Sequence, residues 1–314
     1  MPRLGQPRWY GSAPRRQRQA LYLGLTGVAI FGLTLPATRL AVADFDPLFV
    51  TFGRALLAAA PAALTLIWTR PPPPSRRDWP RLAAFAACAI IGFPLLMAVA
   101  MQQAPAAHGA VVLAVLPLLT AMGAALVAGE RPSLGFWACG VAGSASVLLY
   151  MRLSGAGSGA LQFPDLLLAA SAIAAAMAYA LGGELARRIG GSQVICWALL
   201  VSAPVNGVAL LVLAWPINWQ AQASAWAGFI YVSVFSMFLG FFAWNKGLAI
   251  GGIARVGQIQ LLQPFVALAA SAALLGERVG WLEVGFATLV VGLVALSWRM
   301  RVTHGPPAGK ARSH

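Results

Sequence analysis

Long apolar stretches separated by short polar segments follow one another from residue 21 to residue 299. A helix needs about 20 mostly apolar residues to cross the hydrocarbon core of a membrane. By this length the sequence predicts ten membrane-spanning helices, at 21–43, 47–69, 80–103, 107–128, 133–151, 165–186, 192–215, 223–245, 252–275 and 279–299. Asn245 and Lys246 interrupt the eighth of them. We therefore expect an all-α integral membrane protein embedded in a lipid bilayer.

The composition supports the membrane class. Hydrophobic residues make up 60% of the 314 residues and charged residues only 10%, and the mean hydropathy is +0.76. Soluble domains rarely have such a composition. The three cysteines lie in apolar segments without a CxxC spacing, so neither disulfide bonds nor a metal site is indicated, and no cofactor is expected.

The basic residues are distributed unevenly between the two predicted sides of the membrane. With a cytoplasmic N-terminus, 18 of the 22 lysines and arginines fall in predicted cytoplasmic segments. Three fall in external segments (Arg39, Arg152 and Arg278), and Arg54 lies within the second helix. This bias follows the positive-inside rule and predicts cytoplasmic tails at 1–20 and 300–314. It also accounts for the net charge of +14 without a nucleic-acid partner.

The sequence contains an internal repeat. Pro117 and Pro264 lie 264 − 117 = 147 residues apart, and the same shift carries Gly-Glu-Arg at 129–131 onto Gly-Glu-Arg at 276–278. The two copies, 21–151 and 165–299, each contain five predicted helices. Because five is an odd number, the copies are predicted to cross the membrane in opposite orientations. Inverted repeats of this kind hold a substrate between the copies, near the middle of the membrane.

Three glutamines precede Pro264 in the ninth predicted helix. An amide in hydrocarbon needs a protein or water partner, so Gln258, Gln260 and Gln263 are predicted to line a hydrated cavity or to join helices. Helical spacing puts Gln260 and Gln263 on one face and Gln258 on another. Pro264 lacks an amide hydrogen and is expected to bend or loosen the helix.

Further residues could bind a substrate. His108 begins the fourth helix and could contact a carboxylate, sense pH or remain a structural residue at the interface. Tyr179 is the large polar side chain of an alanine-rich run, and Thr34 lies in the first helix. Trp244 either stacks on an aromatic substrate or anchors its helix at the membrane interface.

Arg54 allows three interpretations. It lies about 10 Å into the second helix by helical rise, where it could bind a carboxylate or extend to the membrane surface. An ion pair with Asp44 or Asp46 is the favoured interpretation.

Glycines and prolines within the predicted helices are expected to act as hinges. They are Gly92, Pro94, Pro117, Gly240 and Pro264.

The sequence resembles the drug/metabolite transporter superfamily, specifically its ten-helix EamA-type members. The resemblance is carried by Pro117 with Gly-Glu at 129–130, by Pro264 with Gly-Glu at 276–277, and by Pro47–Arg54. Residues Phe242–Gly247 resemble a stretch of bacterial aromatic amino-acid exporters. The resemblance implies two five-helix repeats in a bacterial inner membrane that export amino acids, aromatic and other neutral ones, or related metabolites. A monomer is expected.

Two other functions are weaker interpretations of the same sequence. No Asp or Glu lies at the centre of a predicted helix, which favours a facilitator over a proton-coupled antiporter or a broad-specificity drug exporter. An intramembrane enzyme would need a nucleophile with its base, and the sequence contains neither HExxH nor GxSxG.

Overall fold

The structure is a computed structural model that describes residues 14–103, 114–153, 163–213, 217–266, 269 and 280–304. Most of these residues are helical. The α-helices in chain order are α1 (Pro14–Gly32), α2 (Thr34–Asp44), α3 (Pro47–Thr69), α4 (Trp79–Ala86), α5 (Phe93–Gln103), α6 (Leu116–Ala128), α7 (Leu134–Leu153), α8 (Phe163–Ile189), α9 (Gly191–Leu213), α10 (Ala223–Ile230), α11 (Phe241–Gly251), α12 (Ile253–Gly257) and α13 (Trp281–Arg299).

Three helical segments depart from α geometry. A π-helical segment, Ala87–Gly92, joins α4 to α5, and a second one, Tyr231–Gly240, joins α10 to α11. A 3₁₀ segment, Gln258–Leu262, follows α12 and leads into a helical stretch at 263–266. Wider and tighter turns of this kind often mark functional positions in a helix.

The described residues contain seven helical stretches that are long and apolar enough to cross a membrane. They are Arg15–Asp44, Pro47–Thr69, Trp79–Gln102, Leu134–Leu153, Phe163–Ile189, Gly191–Leu213 and Ala223–Gly251. Two further apolar helices, Leu116–Ala128 and Val284–Arg299, are shorter. The eighth predicted helix continues through Asn245 and Lys246, so these residues do not interrupt it. The count of ten stays a prediction, because parts of the fourth and ninth predicted helices lie outside the described residues.

Two details of the predicted ends are wrong. Helix α1 begins at Pro14, inside the segment assigned to the N-terminal tail. After α13, β2 (Val302–His304) pairs antiparallel with β1 (Glu130–Pro132), where the prediction had only a tail. An all-α fold therefore gains a small two-stranded sheet, which ties the end of the chain to the turn after α6.

The first predicted helix is broken in its middle. Helix α1 ends at Gly32 and α2 begins at Thr34. Pro36 has no amide hydrogen, so it cannot donate to the carbonyl of Gly32, and the first backbone bond across the break runs from Ala37 N to Leu33 O at 3.0 Å. The break exposes polar backbone groups in the interior of the bundle.

The irregular segments occur at matched positions of the two predicted repeats. A shift of 147 residues carries Ala87–Gly92 onto 234–239, which lies inside Tyr231–Gly240. The same shift relates Pro117, the second residue of α6, to Pro264, the second residue of the stretch 263–266. Pro117 occupies the first turn of α6, where no helical amide bond is lost, whereas Pro264 directly follows the 3₁₀ segment, so neither proline lies in the middle of a regular helix.

Loops from both halves of the chain meet at one end of the bundle, called the charged end. Arg188 Nη1 lies 3.2 Å from Asp78 Oδ1, and Arg187 Nη2 lies 2.6 Å from Glu130 Oε1. The sheet formed by β1 and β2 lies here too. At the opposite end of the bundle, where α3 begins, the amide of Gln222 donates to Asp44 Oδ2 over 2.7 Å. The described loops named here thus gather at two opposite ends.

Candidate functional site: a cavity between the two halves of the chain

A cavity lies between helices of the first and second halves of the chain. The first half contributes Phe31, Thr34, Leu35, Arg54, Ala89, Phe93, Met97 and Leu116, and the second half contributes Tyr179, Ser236, Phe241 and Gln263. The lining is mostly apolar and aromatic with a few polar groups, which is typical of small-molecule sites.

The structure brings three of the predicted substrate-binding residues together at this cavity: Thr34, Tyr179 and Gln263. The Thr34 hydroxyl shares a 2.9 Å hydrogen bond with Ser236, and so connects the two halves. Gln263 Nε2 donates over 2.9 Å to the carbonyl of Phe31, beside the break between α1 and α2. Gln263 therefore satisfies a backbone group near the helix break and also faces the cavity.

The other two glutamines do not line the cavity. Gln260 lies beside the hydroxyl of Tyr179 but makes no hydrogen bond of good geometry. Gln258 is fully buried against α7, where a Cβ on Gly140 would lie 2.9 Å from its Nε2 atom. Gln260 and Gln263, which were predicted to share a helix face, do not both line the cavity, and Gln258 lies apart from Gln263. Because Pro264 cannot donate, the carbonyl of Gln260 instead accepts from the amide of Gln263.

Trp244 lies behind the cavity rather than in it. Its ring is fully buried, so the interpretation as an interface anchor is wrong. The ring centroid lies 5.3 Å from that of Tyr179 and 5.9 Å from that of Phe31, both of which line the cavity. A Cβ on Gly27 would come within 2.8 Å of the Trp244 ring, so α1 packs directly on it. Trp244 thus supports the aromatic wall without touching the cavity.

Arg54 is the residue whose position departs most from the favoured expectation. It is only 2% exposed, lines the cavity, and makes no ion pair with a described residue. Asp46 instead accepts from the amide of Leu48 over 2.7 Å, and Asp44 accepts from Gln222. Both proposed partners are therefore used elsewhere, and the structural ion pair is wrong. The charge of Arg54, alone within the second predicted helix, was the feature of the sequence that indicated a special role for this residue.

Ser236 is a cavity residue that sequence reasoning missed. It lies in the π-helical segment Tyr231–Gly240, and a shift of 147 residues relates it to Ala89, which also lines the cavity. A serine in an apolar stretch gives little signal by itself, but its match to Ala89 in the repeat could have identified it.

The predicted hinge glycines end the two π-helical segments. A Cβ on Gly92 would lie 3.0 Å from the carbonyl oxygen of Ala87, and one on Gly240 would lie 3.1 Å from that of Phe235. In both cases the crowding atom is five residues earlier, as the wide turn of a π-helix requires. Pro94 is the second residue of α5, directly after the first segment. Their action as hinges stays a prediction.

Two predicted features lie outside the described residues: His108, and the second Gly-Glu-Arg at 276–278. Among the residues that the structure does describe, no group of three His, Cys, Asp or Glu side chains could hold a metal ion.

Glu130 of the first Gly-Glu-Arg connects the two halves at the charged end. Its carboxylate is fully buried. Oε1 accepts from the amide of Ile253 over 2.9 Å and from Arg187 over 2.6 Å, and Oε2 accepts from the amide of Ala254 over 2.9 Å. A carboxylate at the first amides of a helix is favoured by the helix dipole. Glu130 thus fixes the start of α12 from the opposite half.

Asp78 forms the second ionic contact of the charged end. The hydroxyl of Ser75 donates to Asp78 Oδ2 over 2.6 Å, and this bond, with Arg188 nearby, holds the pKa of the carboxyl below its usual range. Arg188 also pairs with Glu184 over 2.8 Å. The loop before α4 is thereby joined to the end of α8.

These features define a class of protein. A bundle of apolar helices encloses a cavity, whose wall comes from both halves and from helices with π and 3₁₀ turns. This is the arrangement of a multi-pass membrane transporter.

Comparison with known proteins identifies the family. A family described as "EamA-like transporter family" matches residues 18–152 and 162–299. The chain belongs to the EamA-like transporter family, which confirms the resemblance noted in the sequence.

Individual relatives agree with this assignment. The chain is 44% identical over 277 residues to the "Uncharacterized transporter YdeK" of Bacillus subtilis, covering 88% of this chain and 96% of that one. It is 27% identical over 270 residues to the "Probable terminal-alkyne amino-acid exporter" of Streptantibioticus cattleyicolor, covering 82% and 80%. A crystal structure described only as that of a protein superposes with a TM-score of 0.73 at 18% identity, covering 90% and 96%, and so shares the fold.

Proposed function

We propose that this transporter exports amino acids, aromatic and other neutral ones, or related small metabolites across a bacterial inner membrane. The observation that carries the proposal is the cavity itself. Phe31, Tyr179 and Phe241 give it an aromatic wall, while Thr34 and Ser236 add hydroxyls. An amino acid with an apolar side chain needs both kinds of surface. The relative named as an amino-acid exporter supports the same substrate class.

Alternating access is the proposed mechanism, with repeats at 21–151 and 165–299 moving against each other as a monomer. The matched π-helical segments and the matched positions of Pro117 and Pro264 support a repeat in the fold. The grouping of the described loops at two ends supports spans that cross in alternating directions. Together with the positive-inside bias, this grouping supports cytoplasmic termini and a cytoplasmic charged end.

The proposed transport is facilitated diffusion. None of the cavity residues in the described part of the chain is an Asp, Glu or His. A proton-coupled antiporter commonly relies on such an ionisable group inside the membrane. The lining therefore supports a substrate that moves down its own gradient.

Flux through purified protein in liposomes tests the proposal. Labelled Phe, Tyr, Trp, Thr and Met are offered, and Gln263→Ala, at the cavity, is compared with Gln258→Ala, away from it. We expect flux of at least one amino acid and a larger loss in Gln263→Ala. Absence of flux for all five would refute amino-acid export. Acceleration by a pH gradient would refute facilitated diffusion in favour of an antiporter.

A further inference from the structure

The guanidinium group of Arg54 lies in the cavity wall, and no described residue forms an ion pair with it. Its residue is 2% exposed, and its Nε atom has no hydrogen-bond partner in the described part of the chain. A guanidinium group keeps its charge in proteins, and a buried charge is unfavourable unless it is paired. A buried arginine in a cavity wall therefore requires another source of negative charge.

Five of the acidic side chains that the structure describes have other partners and do not supply that charge. Asp44 and Asp46 accept backbone amides at the end of the bundle where α3 begins. Asp78, Glu130 and Glu184 pair with Arg187 or Arg188 at the charged end, beyond the other end of α3. Helix α3 is 23 residues long, about 34 Å by helical rise, so these groups are distributed to its two ends while Arg54 lies along it.

We propose that Arg54 binds the carboxylate of the transported molecule. The inference rests on the proposed transport of amino acids and names the part of the substrate that the cavity recognises. A guanidinium group offers two parallel N–H donors that match a carboxylate, and desolvation in a buried site strengthens the pairing. The aromatic residues Phe31, Tyr179 and Phe241 line the same cavity and would face the side chain of the same molecule.

Ligand-induced thermal stabilisation of the purified protein tests the proposal separately from transport. The probes are L-phenylalanine, phenylacetate, L-phenylalaninamide and phenethylamine, which share an aromatic ring and differ in whether they carry a carboxylate. We expect stabilisation by the two carboxylates and at least about tenfold weaker binding of the amide and the amine. Equal binding of all four, or binding of none, would overturn the proposal.

Two substitutions examine the arginine itself. Arg54→Gln is expected to weaken binding of L-phenylalanine at least about tenfold, and Arg54→Lys, which keeps the charge without the two-pronged geometry, by less. Arg77→Gln, at an exposed position in the loop before α4, is the matched control and should bind as the unsubstituted protein does. Full binding in Arg54→Gln would overturn the proposal.

Stability without ligand separates this role from a structural one. Because Arg54 makes no ion pair in the described structure, Arg54→Gln should unfold at the same or a higher temperature. A large loss of stability in Arg54→Gln would indicate that the charge is structural and would overturn the proposal. Arg54→Lys, which keeps the charge, checks that a substituted protein still folds. If carboxylates bind but no amino acid crosses the liposomes, amino-acid export fails while the carboxylate site stands.

Discussion

The contact of Glu130 with the opposite half of the chain gives a quantitative prediction for Glu130→Gln. Oε1 accepts from Ile253 N and Arg187 Nη2, and Oε2 accepts from Ala254 N. A glutamine has one oxygen and one NH₂ group, so in either orientation its NH₂ faces at least one of these donors. The substitution therefore leaves a buried backbone amide or the arginine without an acceptor.

The expected loss is the sum of two effects. A buried unsatisfied amide destabilises by about 1–3 kcal/mol, and loss of the charge on one side of a hydrogen bond to Arg187 removes a further ~1.5–3 kcal/mol. Removal of one partner of a buried ion pair generally destabilises by about 3–5 kcal/mol, which is consistent with that range. We expect about 3 kcal/mol or more, and a fall in the unfolding temperature on the order of 5 °C or more.

Thermal unfolding in detergent measures this loss, with Glu184→Gln as the matched control. Glu184 also pairs with Arg187 and Arg188, but its side chain is 19% exposed and no backbone amide among the described residues of the opposite half donates to it. Partly exposed pairs contribute about 1 kcal/mol or less. A double-mutant cycle with Arg187→Gln isolates the pairwise energy. If Glu130→Gln unfolds no earlier than Glu184→Gln, the reasoning is refuted.

Three further predictions concern packing and pH. In Gly240→Ala the new methyl group would lie 2.7 Å from the Phe31 ring, so the free energy of unfolding should fall by at least ~1 kcal/mol. Gly207→Ala, where nothing lies within 4 Å of the new methyl group, should be neutral or stabilising in the same thermal assay. Trp244→Ala should lose about 3–5 kcal/mol of stability by the same measurement and lose flux as well, since the aromatic wall loses its support. The pKa of Asp78 is lowered in the folded protein, so its contribution to the free energy of unfolding is present above the ordinary carboxyl pKa and is lost as the pH falls through the folded pKa. Asp78→Asn should therefore flatten the acid side of a curve of stability against pH. An unchanged curve would contradict this.

The sequence predicted the features that depend on composition and spacing. Apolar stretches of about 20 residues indicated membrane-spanning helices, and the shift of 147 residues between Pro117 and Pro264 also relates the two π-helical segments. Such features depend only on residues near each other in the chain or on an internal copy.

The sequence could not predict features that depend on tertiary contacts. Trp244 is a tryptophan near the end of a predicted helix, a position typical of an interface anchor. Only its packing against Gly27 and Tyr179 makes it a core residue. Arg54 was assigned an ion pair with nearby aspartates, because nothing local indicates that Asp46 uses its carboxylate to start α3. Where a side chain has several possible partners, the fold determines which one it contacts, and the neighbouring sequence does not.

The π-helical segments have a consequence for how the protein tolerates deletions. Loss of one residue from Ala87–Gly92 or Tyr231–Gly240 would allow the wide turn to close into ordinary α geometry. The residues after it would keep their direction, because a π turn holds one residue more than an α turn. Closure into α geometry without that loss would instead rotate everything after it by about 100° around the helix axis. Ala89, Phe93 and Met97, or Ser236 and Phe241, would no longer share a direction. Each segment therefore sets the rotational phase between the two ends of its helix.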